Sequence, residues 1–408
     1  MGRSYRGIAP RPRGMQPLVR DVFDVDRLPP SRRQMQADVL ARISEPYVGL
    51  TTDGQVRRGL YHLDGDPEAD MSVLVEAASD YLVSLSPSER AEGQLPMQAE
   101  QWRRWTNAFP VWQPHGLLLE DFSSGQREAA LSVLRASLSP SGYQKTRTVM
   151  LLNQILGEII DDYRGTLREW MYRFTVFGTP STVDPWGWQL AGHHLDIHCV
   201  VVGGRIVLTP TFMGAEPVAV DDGPHAGLRI FEPESRSALD LMQSLDEAQQ
   251  QQATIFPSML TADLPDELNH VTEGRMRATA GGDNVVLPYQ GLPVAYIDLD
   301  RRELLMRVIA NYVEVGPAGH AAYRIRQARE HLDTTFFSWV GQHGDNDPFY
   351  YRIHSPVILI EFDHHRGVFL SNEDPENIHI HTIVRSPNGH DYGRDLLRQH
   401  YALHHQKI

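Results

Sequence analysis

Two stretches decide how this chain is read: HHLDIHCVVVGGRIVLTPTF at residues 193–212 and NIHIHTIVR at residues 377–385. Along a strand, successive side chains point to opposite faces. A strand over 193–202 puts His194, Asp196 and His198 on one face, with Leu195, Ile197 and Cys199 on the other, apolar face. Gly203-Gly204 is a two-residue turn signal, so RIVLTPTF returns as the partner strand. The same alternation groups His379 with His381, opposite Ile378 and Ile380. A third β-rich run, YYRIHSPVILIEFD at 350–363, carries Glu361 and Asp363 on one face and Ile360 and Phe362 on the other. An H-x-H pair on a strand projects both imidazoles the same way, at a spacing one cation can bridge.

Working outward, the hydrophobic period changes to 3.6 on either side of these strands. Helices are expected over 31–43, over 66–85 with Met71, Leu74, Val75, Ala78 and Leu82 on one face, over 123–138 and over 146–163. Ser86-Pro87-Ser88 ends the second of them. Residues 178–187, GTPSTVDPWG, read as a loop. Further helices are expected over 238–252, 301–313, 321–332 and 395–405. With no internal repeat and no clean linker, the fold class is α+β: a helical N-terminal part packed on antiparallel β-hairpins that carry a histidine-rich site. A flexible Pro/Arg-rich arm (1–30) precedes one interwoven domain (31–408). That domain is helical over 31–175, carries the first His-rich hairpin at 188–217, is helical again over 235–335, and ends in strands and a helix at 348–405.

The chain has 408 residues, with 38 Lys+Arg against 52 Asp+Glu, a net charge of −14. Nucleic-acid binders need clustered cations on phosphate, so this balance argues against that class, and equally against docking on an anionic membrane. Cys199 is the one cysteine. An intramolecular disulfide is excluded, and so is a cysteine-built zinc or iron–sulfur site within one chain. No apolar run reaches the roughly 20 residues of a membrane span, and the N-terminus lacks the apolar core of a secretory signal, so a soluble cytoplasmic protein is expected. The motifs of phosphate-binding loops, dinucleotide folds, HExxH proteases and nucleophile elbows are absent.

What remains is the 19 histidines. His194, His198, His379 and His381 are the expected metal ligands, completed by a carboxylate. Glu361 is the candidate acid or base. His193 is placed to orient a ligand histidine or touch substrate, and Arg385, on the parity of His379 and His381, to meet a substrate carboxylate. Glu216 is read as a turn carboxylate and Cys199 as a core residue. Tyr350, Tyr351 and Arg352 are read mainly as packing, and Trp186-Gly187-Trp188 as a wall or an anchored loop. His364-His365 and His404-His405 are read as solvated. Nitrogen and oxygen donors of this kind suit a divalent transition metal, with Fe(II) favoured and zinc, manganese, copper or nickel as alternatives.

The runs WGWQLAGHHL (186–195), TPTFMGAEP (209–217), YYRIHSPVILIEFD and HIHTIVR, followed by DYGRDLLRQHY (391–401), resemble the bacterial and fungal family catalogued as domain of unknown function 3500. The resemblance covers roughly residues 120–405. It implies a shared family fold and a site around Gly192-His193-His194 and His379-Ile380-His381 with Arg385. Taken with the strand parity, it implies His193 or His194, His379, His381 and Glu361 as the ligands consistent with both readings. It implies no reaction. The expected function is a metal-dependent enzyme acting on a small molecule, an anionic one being favoured by the ion's charge. A mononuclear non-haem oxidoreductase using dioxygen leads. A zinc-dependent hydrolase or lyase, or a non-enzymatic metal- or ligand-binding protein, is the alternative.

Overall fold

The computed structural model describes residues 5, 7–11, 30–63, 71–107, 115–161, 167–270 and 272–404. Among them thirteen strands form one sheet. In chain order they are β1 (Gln94–Leu95), β2 (Leu117–Leu118), β3 (Tyr172–Phe177), β4 (Trp186–Gly192), β5 (Leu195–Val202), β6 (Arg205–Val207), β7 (Thr211–Ala215), β8 (Thr254–Phe256), β9 (Leu292–Pro293), β10 (Phe336–Gly341), β11 (Phe349–His354), β12 (Leu359–His364) and β13 (Ile380–Arg385). Their order across the sheet is β1-β3-β4-β5-β7-β13-β12-β11-β10-β8, with β2 on β3, β6 on β5 and β9 on β10. Only β1 on β3 and β8 on β10 run parallel. Ten helices accompany the sheet: α1 (Pro30–Ser44), α2 (Met71–Ser84), α3 (Pro87–Gly93), α4 (Ser124–Ser137), α5 (Pro140–Ile160), α6 (Glu232–Ser244), α7 (Glu247–Ala253), α8 (Leu299–Val313), α9 (Ala318–Glu330) and α10 (Arg394–His404). The fold is α+β, antiparallel apart from its two edges.

The local chemistry of these elements is plain. Ser86 and Ser123 each close a capping box, with Glu89 and Gln126 respectively, and so start α3 and α4. Pro87, the expected stop after α2, sits in the first turn of α3, where its missing N–H costs nothing. The stretch 31–175, expected to be helical, also supplies β1, β2 and β3. No helix among the described residues is long and apolar enough to cross a membrane.

Register divides the sheet into two chemically different faces. One carries Phe174 and Val176, Trp188 and Leu190, Ile197 and Cys199, Met213, Ile380, Ile360 and Phe362, Tyr351 and Ile353, and Trp339. Helices α2, α4, α5, α6 and α8 cover it, bringing Leu74, Tyr81, Leu134, Leu152, Leu156, Leu241 and Ile309 into one continuous apolar core. Burial of this area, at about 25 cal/mol per Å², is what drives the assembly. The opposite face carries Gln189, Asp196 and His198, Gly214, His381 and Arg385, Glu361 and Asp363, and Tyr350, Arg352 and His354. It is equally buried. Trp105 and the long irregular segment 257–291, with Met259, Leu264, Leu268 and Met276, lie across Phe212, Ile383 and Tyr350. His198, His381, Asp196, Glu361 and Asp363 share this second face by parity, whereas Cys199 and His364 fall on the first.

Part of the N-terminal arm is docked. Pro10 bridges Leu370, Arg11 N donates to Phe369 O at 2.8 Å, and the Arg11 guanidinium donates to the carbonyls of Leu370, Gly367 and Asn372. Residues 12–29 of the arm lie outside the described residues.

Phe362, fully buried and stacked between Tyr351 and Phe349, tests which face is the core. Phe362→Ala is expected to cost about 3–5 kcal/mol in urea unfolding. A loss below about 1 kcal/mol would contradict the assignment of faces.

Candidate metal centre

His193 and His194 do not belong to a strand. Gly192 pairs with Leu195, so the two histidines form the two-residue turn between β4 and β5. His194 sits there at φ 63°, in the left-handed region, where histidine is one of the better-tolerated residues. The turn bends His194 toward β7, and Gly214 N donates to its carbonyl at 2.8 Å. On the next strand His381 lies opposite Gly214 in the β7–β13 register. A Cβ at Gly214 would come within 3.0 Å of the His381 Cδ2 and 3.2 Å of the His194 Cδ2. It would also lie 2.8 Å from the Ile380 carbonyl, so the absent side chain leaves room both for the close strand pairing and for the two rings. His379, just before β13, completes the group.

The three Nε2 atoms form a near-equilateral triangle. His194 and His379 are 3.2 Å apart, His194 and His381 3.2 Å, and His379 and His381 2.9 Å. All three residues are buried. The His379 Nδ1 lies 2.8 Å from the Arg366 carbonyl. A carbonyl only accepts, so Nδ1 carries a proton, and Nε2 is the nitrogen that faces the triangle. One proton at the centre relieves one contact; a cation there relieves all three. Burial, reinforced by the neighbouring imidazoles, holds His194 and His381 well below the usual histidine range, so both are neutral, the form that binds metal.

A supporting layer fixes two of these rings, those of His379 and His194, while the buried His381 Nδ1 has no hydrogen-bond partner among the described residues. The Glu216 carboxylate accepts from the backbone N–H groups of Val368, Phe369 and Leu370 at 2.9, 3.1 and 2.9 Å and lies 3.8 Å from His379 Nδ1. It thus shapes the loop whose Arg366 carbonyl orients His379, the usual outer support of a ligand histidine. His193 stacks on His194 with centroids 3.9 Å apart, and its Nδ1 donates to Asn153 Oδ1 at 2.8 Å.

The chain matches the model of the family described as "Protein of unknown function (DUF3500)" over residues 67–394. It belongs to that family. No curated protein and no solved structure matches this DUF3500 chain.

Several residues expected at the site are placed elsewhere. His198 shares the polar face, but Nδ1 donates to Pro210 O at 2.7 Å and Nε2 accepts from Gln189 at 2.7 Å, so both ring nitrogens are in use. Glu361 accepts from Arg277 N, Ala278 N and the Tyr350 hydroxyl at 3.0, 2.8 and 2.7 Å, and holds the covering segment down. Asp363 takes both arms of the Arg275 guanidinium. Arg385 is buried at the far end of β13, paired with Asp283 at 2.8 Å and Asp391 at 3.0 Å. Four residues of strand, about 13 Å, separate it from His381. Tyr351 lies in the apolar core, and Arg352 donates to Gln290. His364 and His365, expected to be solvated, are each 1% exposed, because β12 runs on through His364, whose ring packs on Phe349 and Phe362, and His365 lies against the His379 and His381 rings. His404 is exposed and His405 lies outside the described residues.

Two acidic groups lie at the polar face: Asp196, which strand alternation already places there, and Glu273, for which the sequence carries no warning pattern. Burial, then the nearby Glu273, holds the Asp196 carboxyl well above the usual range. Burial pushes Glu273 itself up to about 7. Asn107 links Glu273 to the ligand turn: its side chain donates to Glu273 Oε2 at 2.6 Å, and its carbonyl accepts from His194 N at 3.4 Å. A cavity of 710 Å³ between α5 and residues 219–225 touches none of the three histidines.

Gly214→Ala, whose Cβ would meet the Ile380 carbonyl at 2.8 Å as well as both rings, is expected to strain the β7–β13 pairing and weaken binding of Zn(II) or Co(II) by about 10- to 100-fold, as loss of ligand support does. Chelator competition reads this directly, and unchanged affinity would contradict the Gly214 account. A second expectation concerns acid. Burial pushes His198, His354 and His364 each down to about 3, against 6.5 when unfolded. Below 6.5 the unfolded chain binds protons the folded chain refuses, so these groups cost stability progressively as pH falls toward 3. His354→Gln should therefore flatten the fall of the urea midpoint between roughly pH 6.5 and pH 4. Parallel profiles for variant and wild type would refute it.

Proposed function

We propose that the chain is a mononuclear metal-dependent enzyme acting on a small molecule. The convergence of His194, His379 and His381, with Nε2 atoms 2.9–3.2 Å apart in a buried site, carries the reading. A first-row dication about 2.0–2.1 Å from each nitrogen sets N···N separations of about 2.9–3.4 Å, between octahedral and tetrahedral angles. Three protein ligands leave coordination positions for water or substrate, as catalytic sites do and closed structural sites do not. Glu273, pushed up to about 7, is a group able to take and return a proton near neutral pH, and this favours a catalyst over a store.

The donor set bears on the chemistry. The oxidative reading drew on a carboxylate beside the histidines, the pattern of non-haem iron oxygenases. Glu361 and Asp363 are committed to Arg277, Ala278, Tyr350 and Arg275, which leaves the three imidazoles of His194, His379 and His381 as the ligand set for a metal. That set matches catalytic zinc, whose bound water attacks, or whose charge polarises, a carbonyl. The same imidazole face also suits Fe(II) or copper acting with dioxygen, which is the second reading. In either case the ion keeps its double positive charge, and an anionic group on the substrate is favoured.

Elemental analysis of protein purified without an affinity tag is expected to find about one transition metal per chain. Zinc supports water chemistry; iron or copper supports the oxidative branch. His381→Ala should lower metal affinity by more than about 100-fold, beyond the loss of a supporting residue. A chain that takes up no divalent transition metal, or a His381→Ala variant with full occupancy, would overturn the proposal.

A further inference from the structure

A fourth histidine stands beside the triad, and nothing in the metal reading uses it. We propose that the Nε2 of His365 accepts a hydrogen bond from a water molecule bound to the metal, and so fixes the coordination position that a substrate takes over. The proposal rests on the metal-centre reading above.

The argument begins with the tautomer. The His365 Nδ1 lies 2.8 Å from the Arg366 carbonyl, which only accepts, so Nδ1 carries the proton and Nε2 the lone pair. That Nε2 is buried and has no hydrogen-bond partner among the described residues. A buried lone pair without a donor is a rarity that asks for an explanation, an unseen water or ligand being the usual one.

Direction follows from the shared carbonyl. The His379 Nδ1 hangs from the same Arg366 oxygen, at the same 2.8 Å. On the His379 ring the opposite nitrogen reaches the triad. Two imidazoles suspended from one oxygen, centroids 4.7 Å apart, send their Nε2 ends the same general way. The His365 ring is also 4.7 Å from that of His381. It thus flanks the metal position beside two of the three ligands.

Distance excludes direct ligation. The donor atoms lying within 4.8 Å of one another come from His194, His379 and His381, and His365 is not among them. A metal–oxygen bond of about 2.1 Å followed by a hydrogen bond of about 2.8 Å spans such a gap with one water. The ring is also held in place. A Cβ at Gly274 would lie 3.0 Å from the His365 Cδ2 and 2.1 Å from Asp363 Oδ2, so the covering segment packs hard on this ring. Arg275, the next residue, clamps that segment to Asp363.

The test uses the full chain loaded with Co(II). Azide, which brings no proton to donate, is titrated against the visible absorption of the cobalt, and Co(II) affinity is measured by chelator competition. In the wild type, azide displaces the water and forfeits its bond to His365. His365→Leu, which keeps the volume and lacks the acceptor, is expected to bind Co(II) within about threefold of wild type and azide about three- to tenfold more tightly, the size of one hydrogen bond. His365→Gln, whose amide oxygen accepts, should return azide to the weak wild-type affinity. It also carries the test if the Leu variant fails to fold, because a Gln variant that tightens azide overturns the proposal. Unchanged azide binding in His365→Leu overturns it as well. So does a loss of Co(II) affinity beyond about 100-fold, which would make His365 a ligand. Wild-type protein that binds no Co(II) would bring down the metal reading and this inference together.

Discussion

The pairing of β13 with β7 is the contact on which the rest depends. It joins segments more than 160 residues apart in sequence and fixes His381 opposite Gly214. A slip of one residue would send His381 to the apolar face and Ile380 to the polar one. The register is held from both sides. Ile380 and Val384 must enter the core beneath the sheet, while His381, Ile383 and Arg385 have partners above it. The burial that stabilises the fold thereby aims the ligands. Gly214 then matters for having no side chain, since two rings occupy its place.

Around the triad, positioning is done mainly by backbone groups. The Arg366 carbonyl orients His379 and His365 together, and that carbonyl is set by a loop whose three N–H groups sit on the Glu216 carboxylate. Arg11 grips the same loop through three carbonyls. Backbone dipoles held in this way need no rearrangement when a charge arrives, which is the property that makes a site effective. His193 adds a stacked ring behind His194, so each ligand with a supporting partner described here is braced from outside the triangle.

The polar face is costly to bury, and its residues offset that cost in three ways. Charged groups are paired, as with Arg275 on Asp363 and with Arg385 and Arg103 on Asp283. Glu361 accepts hydrogen bonds from two backbone N–H groups and a hydroxyl. Imidazoles on this face stay uncharged: burial pushes His198 and His354 down to about 3. A pair broken on one side would leave an uncompensated charge, typically about 3–5 kcal/mol. This explains why Glu361 and Arg385, both expected to act in chemistry, serve the architecture. Their parity was right for a site, but each met a closer partner from the 257–291 segment or the 391–393 turn.

Alternation along LDIHCVVV, IEFD and IHIHTIVR was enough to separate a core face from a histidine-bearing face, because side-chain direction in a strand is a local property of the backbone. The longer run HHLDIHCVVVGG, with IHIHTIVR, disclosed the hairpin at Gly203-Gly204 and His194, His379 and His381 as candidates, and the helix-period stretches on either side disclosed the α+β class. What they could not disclose was which histidines meet. His198 lies on the same face as Asp196, yet Gln189 and Pro210 capture it. His194 is a ligand candidate from a turn instead of a strand, and His365 is buried although its neighbours read as a loop. Those outcomes depend on strand order, on the empty place at Gly214 and on carbonyls such as that of Arg366, and a backbone carbonyl has no signature in a sequence. Residue type and parity are written locally; the competition among partners for each polar group is decided only when distant segments are packed together.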